Sequence, residues 1–351
     1  MRFSTILIII LRNFELAIRD LFRLQYRPYK VLFELTDHCN SKCKTCDIWK
    51  SDGEKKNEIK VKELEPILEE YGANLLWVAL GGGEVTLYKD FDRLIDLLAA
   101  RCPNLRIVTF TTNALLPEKV LSYAQKIKDK GFDVFITISL DGDKKTHDII
   151  RGVEGNFEKS KSVLVQLTKQ NIWSHFGLTV SSFNSEYIEK SLQDDIGKIR
   201  SFSFEHAGGI YKTAGQPNEK SIIKSLKTIC RIYKIRSLGE IIEYVYIVLA
   251  GTFFKSGRKT VPVPCEVIAS SLHIRPNGDI SPCMYLPKIG NINTGSFSEI
   301  LSLPATKILR NRAQNTECNK CWMNCYAVHS VMRHPVLSFI ETIKARNSVE
   351  N

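Results

Sequence analysis

The cysteines of this chain are clustered, and their grouping is the first sign of chemistry. Of ten cysteines in 351 residues, three share one short segment near the start, at Cys39, Cys43 and Cys46. Five more lie towards the other end, at Cys265, Cys283, Cys318, Cys321 and Cys325. Uneven clustering of this kind indicates metal ligation rather than the disulfide framework of a small secreted domain.

The first group has three residues and then two between its cysteines. Three thiolates this close can hold three irons of a [4Fe-4S] cube and leave the fourth iron open for another ligand. The alternative is a zinc site completed by His38 or by a distant residue, although structural zinc usually takes four ligands from paired motifs. The spacing alone leaves both interpretations open.

Polar motifs follow the strands that the pattern predicts in the first half of the chain. Short β-rich runs, separated by helix-length segments, cover residues 31–35, 75–80, 107–111, 134–139, 176–180 and 201–204. Such repeated βα units predict a parallel sheet, open or partly closed into a barrel, which binds ligands at the carboxyl ends of its strands. At those ends lie Gly82-Gly83-Glu84, Thr111-Thr112-Asn113 and Ser139-Leu140-Asp141-Gly142, with Arg151-Gly152 downstream. Each of these motifs alone could be a turn or a helix cap.

Together with the cysteine triplet, the strand-end motifs resemble those of the radical S-adenosylmethionine (SAM) superfamily. The resemblance implies an α/β fold with a partial (β/α)6 TIM-like barrel, and a [4Fe-4S] cluster whose open iron chelates SAM. An electron from the cluster would then cleave SAM to a 5′-deoxyadenosyl radical, while the protein positions and shields the reactants. Cys39, Cys43 and Cys46 would be both the metal ligands and the catalytic residues.

The same resemblance implies a set of SAM contacts. The expected cofactor-binding residues are Gly82, Gly83, Glu84, Asn113, Ser139, Asp141 and Arg151. In the family, the Gly-Gly-Glu motif contacts the SAM amino group, a polar residue after the fourth strand contacts the ribose, and the downstream arginine contacts the carboxylate. Glycine permits close backbone approach, and Glu84 offers an acceptor for an ammonium group.

Three positions depart from the family pattern. Ala114 stands where the third-strand motif has glycine, and Val85 stands where proline commonly follows the Gly-Gly-Glu motif. Thr45 replaces the aromatic residue that usually precedes the third cysteine and contacts adenine. Thr45 leaves the adenine contact unassigned.

The second cysteine group resembles the SPASM extension of this superfamily or the shorter twitch extension, which carry auxiliary [4Fe-4S] clusters. Asn277-Gly278 is a strong turn signal for the hairpin of such an extension. A full SPASM region has seven cysteines and holds two clusters. Because each cluster needs about four thiolates, the five cysteines present here support one cluster. The twitch pattern implies that the ligands are Cys265, Cys283, Cys318 and Cys321. Cys325 would be a spare, an alternative ligand or a reactive thiol.

A structural zinc site is the competing interpretation for this region, because Cys318-x-x-Cys321 alone would suit zinc. The two remaining cysteines, Cys102 and Cys230, have no partner at metal-ligand spacing. Each is expected to be a small buried hydrophobe.

These features divide the chain into five predicted segments. They are an N-terminal amphipathic helix (1–29), a radical SAM core (30–215), a helical connector (216–262), a twitch/SPASM-like auxiliary cluster domain (263–333) and a C-terminal tail (334–351). The first helix could dock on a membrane surface through its arginines. We favour packing on the body of the enzyme, because Glu15 and Asp20 make its polar face mixed.

The net charge of the chain and its expected cellular compartment limit the kinds of binding partner. The net charge of +11 suits an acidic substrate, nucleic acid or an acidic electron donor, but no compact basic run or nucleic-acid motif supports the second. Oxygen-sensitive thiolate clusters need a reducing compartment, and no convincing export signal is present, so we expect a cytoplasmic protein, with membrane-surface contact through residues 1–25 as an option. The resemblance implies a low-potential donor of the ferredoxin or flavodoxin type.

Three functions follow as hypotheses. The first is an oxidoreductase-type radical SAM enzyme that abstracts hydrogen from a substrate, with peptide or protein maturation as the first choice and a small molecule as the other substrate class. The second is a membrane-associated radical SAM enzyme acting on a lipid or lipid-linked sugar. The third is a non-catalytic metal-binding scaffold. Tyr285, Tyr326 and His329 lie near the auxiliary cysteines and could contact substrate, carry a proton or simply pack.

Overall fold

A computed structural model describes residues 3–22, 24–50, 57–192, 196–205, 218–318 and 321–349. Six parallel strands form its centre: β1 (Lys30–Glu34), β2 (Trp77–Gly81), β3 (Ile107–Thr112), β4 (Asp133–Ser139), β5 (Trp173–Val180) and β6 (Ile199–Phe204). They lie side by side in chain order, and every neighbouring pair is parallel. The predicted βα architecture, typical of a partial TIM-like barrel, is therefore confirmed.

Helices follow the strands and cover one face of the sheet. They are α2 (Val61–Tyr71), α3 (Phe91–Arg101), α4 (Pro117–Asp129), α5 (Lys144–Arg151), α6 (Asn156–Lys169) and α7 (Ser185–Lys190). In α3, Phe91, Leu94, Ile95 and Leu98 are buried at the spacing of one helix face. Because such stripes pack on the sheet, they form one core with the outward side chains of the strands.

The other face of the sheet is more polar and more open. Side chains alternate along a strand, so every second residue points away from the helices. On β1, Val31 and Phe33 are fully buried against the helices. The opposite face carries partly exposed side chains at Leu32, Ala79, Thr109, Thr137 and Thr179. This inner face is therefore partly accessible to solvent.

The C-terminal part continues the same sheet. Helices α8 (Glu219–Ile232) and α9 (Leu238–Lys255) lead to β7 (Ser271–Ile274), which pairs in parallel with β1. Strands β8 (Asp279–Ser281) and β9 (Gly290–Asn291) extend the sheet antiparallel. The predicted Asn277-Gly278 turn joins β7 to β8, and Gly278 takes the left-handed conformation at φ +80°. The sequence did not indicate that this hairpin adds to the edge of the barrel sheet.

Helices close the remaining sides. The C-terminal helices are α10 (Phe297–Ser302), α11 (Pro304–Gln314), α12 (Asn324–Arg333) and α13 (Pro335–Val349). Helix α1 (Phe3–Leu21) packs on the body through Leu16, which contacts Tyr29 and Leu76. The predicted boundary between core and connector, at residue 215, lies outside the described residues. Within the described part of the chain, no helix is long and apolar enough to span a membrane.

Candidate active site

The cysteine loop leaves β1 and is pinned to the end of β2. The Gly83 amide donates to the Thr36 carbonyl at 2.7 Å, and the Glu84 amide donates to the His38 carbonyl at 2.8 Å. A Cβ atom on Gly83 would lie 2.1 Å from that same His38 oxygen, and one on Gly82 would lie 2.5 Å from the Thr36 oxygen. The two glycines are therefore required because the backbone leading into Cys39 lies directly on them.

The other side of the loop is held by the end of α5. The Lys42 amide donates to the Arg151 carbonyl at 3.0 Å, and the Lys44 amide donates to the Ile150 carbonyl at 2.9 Å. Gly152 ends the helix in the left-handed conformation, where a Cβ would lie 2.7 Å from the Lys42 oxygen. Residues on both sides of Cys43 are thus fixed by backbone contacts to a motif that lies more than one hundred residues away in sequence.

Glu84 joins the ends of β2 and β3. Its carboxylate accepts hydrogen bonds from the Thr112 hydroxyl at 2.7 Å, the Asn113 amide at 2.8 Å, and both the amide and the hydroxyl of Thr86. Burial raises the pKa of Glu84, and these four hydrogen bonds oppose that rise. Three of these hydrogen bonds reach Oε1 and one reaches Oε2, so the carboxylate holds the ends of β2 and β3 together.

Asn113 reaches from β3 to the cysteine loop. Its side-chain amide donates to the Asn40 side chain at 2.7 Å and to the Ser41 hydroxyl at 3.0 Å. The next residue, Ala114, is fully buried and has φ +59°, a conformation that favours glycine. This left-handed backbone explains why the family has glycine at this position. Ala114 adopts the same conformation at some cost in strain.

Arg151 connects the first cysteine group to β4. Its Nε lies 2.7 Å from the carboxylate of Asp141, which is almost fully buried, and its Nη1 donates to the Cys43 sulfur at 3.8 Å. Burial opposes the charge of Arg151, but the neighbouring Asp141 and Cys43 raise its pKa. Asp141 also accepts from the Thr179 amide at 3.0 Å, which ties β4 to β5. The cation is thus positioned beside the thiols by a carboxylate.

The first three thiols lie close to one another. Burial raises the pKa of Cys39 to about 11 and that of Cys46 to about 12. The neighbouring Cys43 raises both pKa values further. Bringing three thiolates together without metal is therefore unfavourable, whereas a bound cation would deprotonate them outright. This donor set fits an iron–sulfur cluster with three protein ligands.

The second cysteine group also comes together. Cys283 interacts electrostatically with all four of its partners, namely Cys265, Cys318, Cys321 and Cys325. Burial raises the pKa of Cys265 and of Cys325 to about 12. By contrast, Cys102 lies in the packing between α3 and Gly72, and Cys230 lies on α8. Which four of the five thiols bind the auxiliary cluster stays a prediction.

The described residues contain no preformed site for a single metal ion. Among the described residues, no three or more His, Cys, Asp or Glu side chains converge to hold one metal ion. Zinc requires sulfur ligands at about 2.3 Å. The thiols of a cubane cluster each bind a different iron and so stand farther apart. Both iron–sulfur clusters and zinc take thiolate ligands, and the choice between them is tested by metal analysis.

Two polar pairs on the inner face were missed by sequence reasoning. The Lys30 ammonium lies 2.8 Å from His329 Nε2 and 4.4 Å from the centre of the Trp77 ring. Burial lowers the pKa of Lys30 to about 8, and Cys325 opposes this. Further along β1, Glu34 lies 3.1 Å from His273 Nε2. The period-two pattern could have placed Lys30 and Glu34 on one face, but not their partners.

Trp49, Asn40 and Ser41 were also missed. The Trp49 indole donates to the Cys43 carbonyl at 3.2 Å, so an aromatic ring does lie beside the cysteine loop although Thr45 is not aromatic. The only sequence signal for these residues was their position within or just after the cysteine triplet. Of the predicted auxiliary neighbours, Tyr326 accepts a hydrogen bond from the Met284 amide at 3.2 Å, next to Cys283.

Comparisons with known proteins cover both cysteine groups. Residues 33–194 match the family model described as the radical SAM superfamily, and residues 265–322 match the SPASM iron–sulfur cluster-binding domain. The Bacillus subtilis antilisterial bacteriocin subtilosin biosynthesis protein AlbA is 22% identical over 291 residues, which are 79% of this chain and 60% of AlbA. The sporulation killing factor maturation protein SkfB of the same organism is 24% identical, over 84% of this chain and 69% of SkfB.

Solved structures share the fold. A structure of anSMEcpe with bound AdoMet has a TM-score of 0.63 at 18% identity and covers 91% of this chain and 96% of its own. Streptococcus suis SuiB bound to precursor peptide SuiA has a TM-score of 0.59 at 18% identity, with 88% of this chain and 73% of SuiB covered. At these identities the likeness shows the fold alone. The chain spans less than two thirds of AlbA, the first of these relatives.

Proposed function

Since this chain belongs to the radical SAM superfamily and carries a SPASM domain, we propose that it cleaves SAM and abstracts hydrogen from a peptide or protein. The observation that carries the proposal is the convergence of the strand-end motifs on the cysteine loop. Gly83, Asn113 and Arg151, from three different βα units, all contact residues 36–44. A scaffold that only held metal would have no need for this arrangement around three thiols.

The roles of the chain's own residues follow from their contacts. When bound, the [4Fe-4S] cluster supplies the electron that cleaves the sulfonium of SAM. Cys39, Cys43 and Cys46 would hold it, and Arg151 would place a positive charge beside Cys43. Glu84 and Asp141 act as positioning residues, because their carboxylates are engaged by protein groups. Gly82 and Gly83 present backbone close to where the SAM amino group would bind.

The inner face of the sheet is the proposed place for the substrate. It is polar, partly open and continuous with the carboxyl ends of the strands. Ser139 lies on this face at the end of β4 and would contact the ribose of SAM. Peptide as the substrate class is supported by the names of the relatives, since AlbA and SkfB are a bacteriocin biosynthesis protein and a killing factor maturation protein.

The auxiliary cluster completes the proposal. Cys265, Cys283, Cys318 and Cys321 would hold one [4Fe-4S] cluster next to β1, where it could exchange an electron with the substrate side of the sheet. A ferredoxin- or flavodoxin-type donor would reduce the SAM cluster. Both clusters require a reducing environment, so we place the protein in the cytoplasm.

The first experiment is anaerobic reconstitution with iron and sulfide, followed by addition of SAM and dithionite. Formation of 5′-deoxyadenosine is expected from the reconstituted protein and should disappear in the Cys43→Ala variant. Cys102→Ala is the matched control, because that thiol lies in the core packing away from the cysteine loop. A protein that binds about two zinc ions without iron or sulfide would instead support the scaffold hypothesis.

A further inference from the structure

Helix α1 turns its apolar side towards solvent. From residue 8 onwards its large apolar side chains recur at helical spacing and are exposed, at Ile10, Leu11, Phe14, Ile18 and Leu21, followed by Phe22. Phe14 is 65% exposed and Leu21 is 76% exposed. The opposite side of the helix, with Ile9 and Leu16, is buried. A surface helix normally places its apolar stripe against the core, so this orientation is reversed.

Helix α13 repeats the same arrangement. Val336, Phe339, Ile340 and Ile343 follow the i, i+3, i+4, i+7 spacing of a single helix face, and all four are exposed. The side that faces the protein carries small residues, with Ser338 and Ala345 almost fully buried. Thus a second helix packs through small side chains and leaves its large apolar side chains outside.

An ion pair joins α1 to the end of α12, just before α13 begins. Asp20 of α1 forms an ion pair of 2.6 Å with Arg333, which ends α12 two residues before α13 begins. Of the 21 exposed large apolar side chains in the described residues, seven lie between residues 10 and 24 and five between 336 and 343. Scattered apolar residues are normal on a protein surface, whereas a concentration of this kind marks a site of association. We call these twelve side chains the docking surface.

The charge around the docking surface is positive. Residues 321–349 contain three cationic side chains and one carboxylate, and residues 8–29 contain four arginines and two carboxylates. The whole chain carries a net charge of +11. Apolar helix faces flanked by arginine and lysine suit an anionic phospholipid surface, which attracts both features.

We propose that α1 and α13 dock this protein on an anionic phospholipid surface, lying within the interface. Side chains that are more than half exposed protrude from their helices rather than line a groove, so a peptide has no cleft to enter here, whereas a lipid surface needs none. This surface is separate from the proposed SAM site and concerns where the enzyme works.

Vesicle flotation of the full chain tests the proposal. Wild-type protein should float with vesicles of equal parts phosphatidylglycerol and phosphatidylcholine, and at least tenfold less with phosphatidylcholine alone. The double variant Phe14→Asp/Phe339→Asp should lower the fraction bound to anionic vesicles at least tenfold. Val165→Asp is the matched control, because Val165 is 52% exposed on α6 and away from the docking surface, and its binding should equal that of wild type.

Three results would overturn the proposal. The first is absence of binding to anionic vesicles, and the second is equal binding of the double variant and wild type. The third is a wild-type dimer, measured by light scattering, that the double variant converts to a monomer while vesicle binding is unchanged, since a second copy would then cover the surface. Circular dichroism establishes that each variant is folded. SAM cleavage is measured separately, so failure here leaves the proposed function untouched.

Discussion

Replacing Gly83 with alanine should displace the cysteine loop. The new Cβ would lie 2.1 Å from the His38 carbonyl oxygen and 3.1 Å from the Cys39 nitrogen. The oxygen would have to move by roughly 1 Å to reach an ordinary contact distance, and the close-packed interior resists such a shift. It would also lose the hydrogen bond from the Glu84 amide, which is 2.8 Å long here. Overpacking costs about 1–3 kcal/mol and a lost hydrogen bond about 1 kcal/mol, so we expect a loss of about 2–4 kcal/mol.

The readout is iron and sulfide per folded chain after anaerobic reconstitution, together with the free energy of unfolding of the metal-free protein. Two other glycines serve as matched controls. Gly72→Ala produces a similar clash, 2.3 Å from the Arg101 oxygen, but far from the cysteine loop, whereas Gly197→Ala meets nothing within 4 Å. Gly83→Ala and Gly72→Ala should both lose stability, but only Gly83→Ala should lose about four irons. Equal iron content in these two variants would refute the reasoning.

Three further predictions concern the same elements. Arg151→Met should cost about 3–5 kcal/mol of unfolding free energy, because it leaves the buried Asp141 carboxylate without its cation; adding Asp141→Asn should restore part of this in urea denaturation. Alanine replacement of any one predicted auxiliary ligand should remove about four irons per chain by elemental analysis, whereas Cys230→Ala should remove none. Burial lowers the pKa of His147 to about 4, so its stabilising contribution is complete above about pH 6.5 and is lost as the pH falls towards 4. In the His147→Asn variant, the urea midpoint of unfolding should change less between pH 6.5 and pH 4 than in wild type. An unchanged pH dependence would contradict the role assigned to His147.

The sequence by itself determined the order and type of the main elements. The six parallel strands follow from short β-rich runs that alternate with helix-length segments, because each pattern has its own period and length. The hairpin turn at Asn277-Gly278 was equally readable, since that dipeptide tolerates the required left-handed backbone. Spacing alone grouped Cys39, Cys43 and Cys46, because residues this close in sequence are close in space.

The partners of those elements depended on contacts between distant parts of the chain. Arg151 and Cys43 are separated by more than one hundred residues, and their contact exists only because α5 ends against the cysteine loop. Glu84 was expected to contact SAM, and the structure adds that its carboxylate also accepts four hydrogen bonds from Thr86, Thr112 and Asn113. A local motif names the residue type, but packing decides which protein groups surround it.

The orientation of the first helix shows the same limit most clearly. Its amphipathic pattern was readable from the sequence, and we expected the helix to pack on the body of the enzyme. Helical periodicity fixes which residues share a face but contains no information on which way that face points. Only the tertiary structure, in which Leu16 packs against Tyr29 and Leu76 while Phe14 and Leu21 stay outside, decided it. The direction of a helix face depends on the surface it meets, and that surface is built from the rest of the chain.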